Sequence, residues 1–144
     1  MDEFYNDVRL FVYGHFVREG QAPTIAQISK SLGPGPDRVR QTLAELYENH
    51  VLVPHPDSGE IGMAMPFSGQ PTAYRVAIGK FSWWANCAWD AFAILALLGD
   101  GSVVITSSDR SEAVWTVDAG VVAPEGFVHF VVPPRRFWDD IGFT

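Results

Sequence analysis

Cysteine is almost missing from this chain: Cys87 is the only one in 144 residues. A single thiol excludes an intramolecular disulfide, and with it the stapled scaffold of a small secreted protein. Cations are scarce as well. Ten Lys and Arg stand against 17 Asp and Glu, a formal charge of −7, which argues against nucleic acid as the main partner. The start, Met1-Asp2-Glu3-Phe4-Tyr5-Asn6-Asp7, has neither the basic residues nor the apolar stretch of a signal peptide. The apolar run after Asp90 falls well short of the roughly 20 residues that span a bilayer. A soluble cytoplasmic protein without a membrane partner is expected. The four histidines, His15, His50, His55 and His129, follow no zinc spacing. His129, between Val128 and Phe130, reads as an ordinary strand residue. Gly33-Pro34-Gly35-Pro36 lacks the lysine and following strand of a phosphate loop. No Ser/His/Asp triad is legible, and Pro66-Phe67-Ser68-Gly69 reads as a structural turn. Internal repeats and low-complexity tracts are missing too.

The apolar fraction, 47%, is that of a globular chain, long enough for one compact domain or two small lobes sharing a core. Phe4, Val8, Phe11, Val12 and Phe16 recur at helical spacing, predicting an amphipathic helix from Asp2 to about Arg18. Thr24 is placed to cap a second helix, Ile25 to Leu32, closed by Gly33. Asp37 is placed to cap a third, Arg38 to about Asn49, with Val39, Leu43 and Leu46 as its apolar stripe. Val51–Val53 and Gly62–Met65 flank a Pro-Asp-Ser-Gly turn and read as a β-hairpin. Three helices and a hairpin in this order describe a winged-helix-like N-terminal lobe, residues 1–65. Residues 66–144 then form a second lobe, with strands expected at Ala73–Ile78, Ser102–Thr106, Ala113–Val117 and Phe127–Val132. A helix is inserted between the first two, and one short helical turn follows near the end. The class is α+β, with a small and mostly antiparallel sheet.

Chemistry concentrates in Trp83-Trp84-Ala85-Asn86-Cys87-Ala88-Trp89-Asp90, which reads as the opening of the inserted helix, running on to Leu98 and stopping at Gly99. Residues at i and i+3 share a helix face, so the Cys87 sulfur and the Asp90 carboxylate should point into one space. A thiolate beside a proton donor can bind a soft metal and deliver a proton. The helix N-terminus should favour the thiolate, and burial should raise the pKa of Asp90. The plainer alternative is a buried Cys acting as a small hydrophobe, followed by a first-turn Asp that favours the helix dipole. Trp83, Trp84, Trp89 and Phe92 are candidates for a dry pocket around an organic group, or else plain core.

The order Pro66-Phe67-Ser68-Gly69-Gln70-Pro71-Thr72-Ala73-Tyr74-Arg75-Val76, then the aromatic Cys-x-x-Asp segment, then an apolar helix ending Leu97-Leu98-Gly99, resembles the alkylmercury (organomercurial) lyase family. The resemblance covers most of the chain and is most specific from Pro66 to Gly99. It implies that Cys87 takes the organomercury cation and that Asp90 protonates the departing carbon, giving a hydrocarbon and Hg(II). Organomercury or Hg(II) is then the ligand of Cys87, and no organic cofactor is implied. A small-molecule thiol or a mercury-accepting protein would take the metal away. The family also uses a second cysteine near the end of its core. The corresponding place falls at Phe143–Thr144 or just beyond, which leaves three readings: Thr144 occupies the place, the core is cut short at its C-terminus, or the chain is a divergent member working with one thiol. Two other readings remain: a non-catalytic thiol protein that binds organomercury or soft metals, and a winged-helix transcriptional regulator. For the regulator, Arg38 and Arg40 on the third helix would meet DNA. Glu45, Glu48, Asp57 and Glu60 nearby oppose it.

Overall fold

The computed structural model of the protein describes residues 3–142. Helix α1, Glu3–Glu19, buries Tyr5, Val8, Val12 and Phe16. Phe4 and Phe11, expected on that stripe, sit half-buried at its margins. Helix α2, Ile25–Leu32, begins as the sequence predicts. The Thr24 hydroxyl accepts from the Gln27 N–H at 3.1 Å, and the Gln27 side chain accepts from the Thr24 N–H at 2.7 Å. These reciprocal bonds satisfy two amides that the first turn leaves open. Gly33, at φ 99°, closes the helix with a bond to Ser29. Helix α3, Pro36–Glu48, corrects the expected start: Gly35 is the cap and Pro36 the first helical residue. Proline suits that position, because its fixed φ is already helical and it has no N–H to leave unsatisfied. Asp37 lies inside the first turn, where its carboxylate favours the dipole.

After α3 the chain enters one antiparallel sheet. Its strands are β1 (Val53–Pro54), β2 (Ile61–Ala64), β3 (Phe67–Ser68), β4 (Tyr74–Ile78), β5 (Phe81–Ala85), β6 (Gly101–Thr106), β7 (Glu112–Asp118) and β8 (Val121–Ala123). In space they run β1-β2-β3-β5-β4-β6-β7-β8, every neighbouring pair antiparallel. Helix α4, Ala88–Leu98, is inserted between β5 and β6. The class is α+β. The sheet continues across Met65–Pro66, through the pairing of Ala64 with Phe67. One apolar core likewise joins α1, α2 and α3 to β3, β4, β5, β6 and α4.

Two expected elements differ. Trp83, Trp84 and Ala85 belong to a strand, not to a helix. Ile78 pairs with Phe81 around the two-residue turn Gly79-Lys80, with Gly79 at φ 57°. Aromatic residues fit a pleated surface, and this tight hairpin sets their register. Phe127–Val132 forms no strand. It runs past the start of α4, where the Phe130 ring meets the edge of Trp89 at 5.8 Å and lies 5.5 Å from Phe137. Phe130 is used for ring packing instead of backbone pairing, while Phe127 and Val131 stay exposed. The place of β8, beside β7, is taken by Val121–Ala123. The expected short helical turn is a 3-10 helix, Pro134–Asp139.

α1 is locked to the sheet. The Phe16 ring stacks on Phe67, with centroids 5.2 Å apart. The indole N–H of Trp83 donates to the Phe16 carbonyl at 2.8 Å. Gly20 ends the helix at φ 71°, with room for a Cβ denied by the Ser82 carbonyl 2.5 Å away.

Candidate active site at the start of helix α4

Extended β5 ends at Ala85, and two residues later the chain turns into α4. Cys87 is the N-cap, with extended backbone at φ −149° and ψ 179°. Its Sγ accepts from the Asp90 N–H at 3.5 Å. A sulfur in this place does what a serine or threonine oxygen does elsewhere: it fills an orphan amide of the first turn. The spacing that puts Cys87 and Asp90 on one face therefore also makes them cap and third helical residue, the two positions whose groups meet.

Both groups are half-buried, and burial governs their acidity. It pushes the Cys87 thiol above its ordinary value, against the pull of the Asp90 amide N–H, and the neighbouring carboxylate adds to the rise. This corrects the expectation that the helix N-terminus would favour the thiolate. The N–H groups act in the expected direction, but removal from water outweighs them. Asp90 is also raised, chiefly by burial, with hydrogen bonds from Asn86 and Cys87 acting in the opposite direction. That rise is the expected one. The site thus favours a thiol and a carboxyl that each hold a proton more tightly than in water.

Asn86 ties the pair to the sheet. Its Nδ2 donates to Asp90 Oδ2 at 3.0 Å and to the Phe67 carbonyl of β3 at 3.3 Å. Its Oδ1 is buried without a hydrogen-bond partner among the described residues, an omission that costs about 1–3 kcal/mol. From α1, Tyr13 donates to the Val51 carbonyl at 3.2 Å. Burial raises its phenol pKa, and the Asp90 charge acts on it in the same sense. Sequence reasoning passed over both residues. Asn86 was within reach of it, because i and i+4 face each other. Tyr13 is far from Asp90 along the chain, and only the fold brings it near.

Cys87 opens into a cleft of about 350 Å³ with Tyr74, Trp89, Phe130 and Phe137 among its walls. A larger cleft of about 600 Å³ adjoins it, lined by Phe92, Ile105, Trp115 and Phe127. Trp89, Ala88, Val128 and His129 line both. The four aromatic candidates therefore separate. Trp89, 58% exposed, and Phe92 face the clefts. Trp83 is buried, its indole committed to Phe16, and neither it nor Trp84 lines either space. The register of β5 explains the split, since the strand ends before the clefts begin. His129, expected on a strand, lies on a loop at the junction of the clefts. Among the described residues no group of three or more His, Cys, Asp or Glu is clustered for a metal ion. No described helix is long and apolar enough to cross a membrane. The place expected for a second family cysteine, Phe143–Thr144, lies outside the described residues.

On α3 the Arg38 guanidinium stands 3.8 Å from Glu45 and over the Phe4 ring. Those contacts engage one of the two arginines considered for DNA.

No curated protein matches the chain. Among solved structures, a crystal structure of the mercury-bound form of MerB2 superposes with a TM-score of 0.63 at 21% identity, over 85% of this chain. The chain spans 60% of the length of that protein, and at this identity the likeness is one of fold. A match to a family model is more specific. The model of the alkylmercury lyase family, MerB, covers residues 67–142, more than half of the chain and the whole stretch carrying Asn86, Cys87 and Asp90. By this match the chain belongs to the alkylmercury lyase family.

Proposed function

We propose that the protein cleaves carbon–mercury bonds by protonolysis, with Cys87 as the metal-binding thiol and Asp90 as the proton carrier. The observation that carries this reading is the capping pair itself, a half-buried thiol that lines an apolar cleft and is hydrogen-bonded to a half-buried carboxyl behind it. The family match supports it, and so does the fold shared with a mercury-bound MerB2.

The proton balance follows from the pair. An organomercury cation, R–Hg⁺, displaces the Cys87 proton, since a soft metal binds the thiolate and releases its proton. The adjacent Asp90 carboxylate takes that proton, and its raised pKa helps it do so. Asp90 then returns the proton to the mercury-bound carbon. The C–Hg bond breaks, its electron pair forms the C–H bond of the hydrocarbon, and Hg(II) remains on the Cys87 sulfur. Asp90 ends as it began, a carboxylate. Trp89 and Phe92 provide apolar walls for R. A thiol from solution or from a mercury-accepting protein supplies the second sulfur that Hg(II) prefers and carries the metal away. A reducing cytoplasm would suit a protein whose single cysteine must stay free.

Benzene release from phenylmercury in excess small-molecule thiol tests the reading. The parent protein should bind phenylmercury stoichiometrically and release benzene slowly above the protein-free control. Cys87→Ser should lose binding and release together. Asp90→Asn should keep binding and lower release by roughly a hundredfold, the usual scale for a general acid. Binding with no benzene above the control would leave an organomercury-binding protein, the second reading, which the elevated Cys87 pKa and single thiol also accommodate.

A further inference from the structure

Asn86 joins three parts of the site. Its single nitrogen donates to a β3 carbonyl on one side and to Asp90 Oδ2 on the other, while its oxygen is buried without a partner among the described residues. Turning the amide over would not relieve that oxygen. It would set Oδ1 against the Phe67 carbonyl and the Asp90 carboxylate, two contacts between acceptors. The surroundings therefore fix the amide as it stands. The orphaned oxygen is the consequence of aiming both N–H groups at these two acceptors.

This has a chemical corollary for Asp90. A primary amide nitrogen only donates, so Oδ2 remains an acceptor whether the carboxyl is ionised or protonated. When Asp90 carries a proton, Oδ1 is its favoured place, because the bare carbonyl oxygen is the stronger acceptor for the Asn86 N–H. A carboxyl that turns freely offers its proton from either oxygen and over many directions. One tied through an amide to a strand carbonyl offers it chiefly from one. We propose, resting on the lyase reading above, that Asn86 is a positioning residue that holds Asp90 Oδ2 and so assigns the transferable proton to Oδ1. Metal capture by Cys87 does not depend on it. Proton delivery does.

Two measurements decide the matter. In the first, phenylmercury is loaded stoichiometrically and benzene release is followed in a single turnover for the parent, Asn86→Asp and Asn86→Ala. Asn86→Asp keeps the shape but replaces the donor with an acceptor. Both variants should bind one phenylmercury per chain, as the parent does, while release slows by roughly ten- to a hundredfold, the loss that misalignment of a catalytic group brings. Parent-like release in both variants overturns the proposal, and so does a parallel loss of binding and release, which marks a merely structural residue. The second measurement needs no turnover and leaves Asn86 intact. The side-chain amide protons of Asn86 are observed by NMR in the parent and in Asp90→Ala. The proton donated to Asp90 should shift upfield and exchange with solvent at least roughly tenfold faster in the variant, as a lost charge-assisted hydrogen bond requires; an unchanged signal overturns the proposal. If the parent itself releases no benzene, the lyase reading fails, and the NMR result alone decides whether Asn86 holds the carboxyl.

Discussion

Cys87 meets two requirements that oppose each other. As the cap of α4 its sulfur sits among backbone N–H groups that favour negative charge; as a half-buried side chain it is short of water, and its thiol pKa rises. The same burial acts on Asp90, which yields a prediction with a definite sign. The folded value of Asp90 lies above the ordinary 3.8. Between the two values the folded state holds more protons than the unfolded state, so stability falls as pH rises through that interval. The variant Asp90→Asn has no charge to bury at this position. Relative to the parent, the variant should therefore gain stability as pH rises above 3.8, and the gain should level off once Asp90 is ionised in the fold. Urea unfolding of both proteins from about pH 3.5 to about pH 7 checks this. A difference that does not change with pH would show that the fold does not raise Asp90.

At the scale of elements, local signals decided most boundaries. Thr24 and Gln27 form a capping box whose two hydrogen bonds both run within four residues, so α2 starts where the sequence says it does. Thr24→Ala should lower stability by about 1 kcal/mol. Thr24→Asn, which can also cap, should recover most of the loss, as read by thermal or urea unfolding. Equal losses in the two variants would mean that the hydroxyl acts through something other than the cap. α4 shows the limit of local reading. Helical spacing runs back from Leu98 through Trp83 without interruption, yet the helix begins only at Ala88. Backbone pairing of Trp83 with Val76 and Trp84 with Arg75 claims those residues for the sheet. The helix can start only where the pairing stops, and that stop makes Cys87 a cap.

At the scale of the molecule, the sheet and the core both run across the division expected after residue 65. Ala64 pairs with Phe67, Phe16 stacks on Phe67 and Trp83 bonds the end of α1. We propose that residues 1–65 and 66–144 unfold together, whatever their separate roles. Far-UV signal, tryptophan fluorescence and near-UV signal should then trace one coincident thermal transition. Two separated transitions would restore two independently stable lobes.

The sequence by itself determined what depends on neighbours within one helical turn or one strand. This includes α2 with both its caps, the stripes of α1 and α3, the strands Tyr74–Ile78 and Gly101–Thr106, and the approach of Cys87 to Asp90. Those features follow from the geometry of three or four residues, which a sequence displays directly. It did not determine which face of Trp83-Trp84 would be buried, where Phe127–Val132 would pack, or that Tyr13 would meet the site. Nor did it determine the sign of the Cys87 shift. Each of these depends on how much water the whole fold removes from a group and on which distant segment replaces it. Dipole and spacing can be counted along the chain, but desolvation exists only once the sheet, α4 and the segment 128–137 have closed around the thiol.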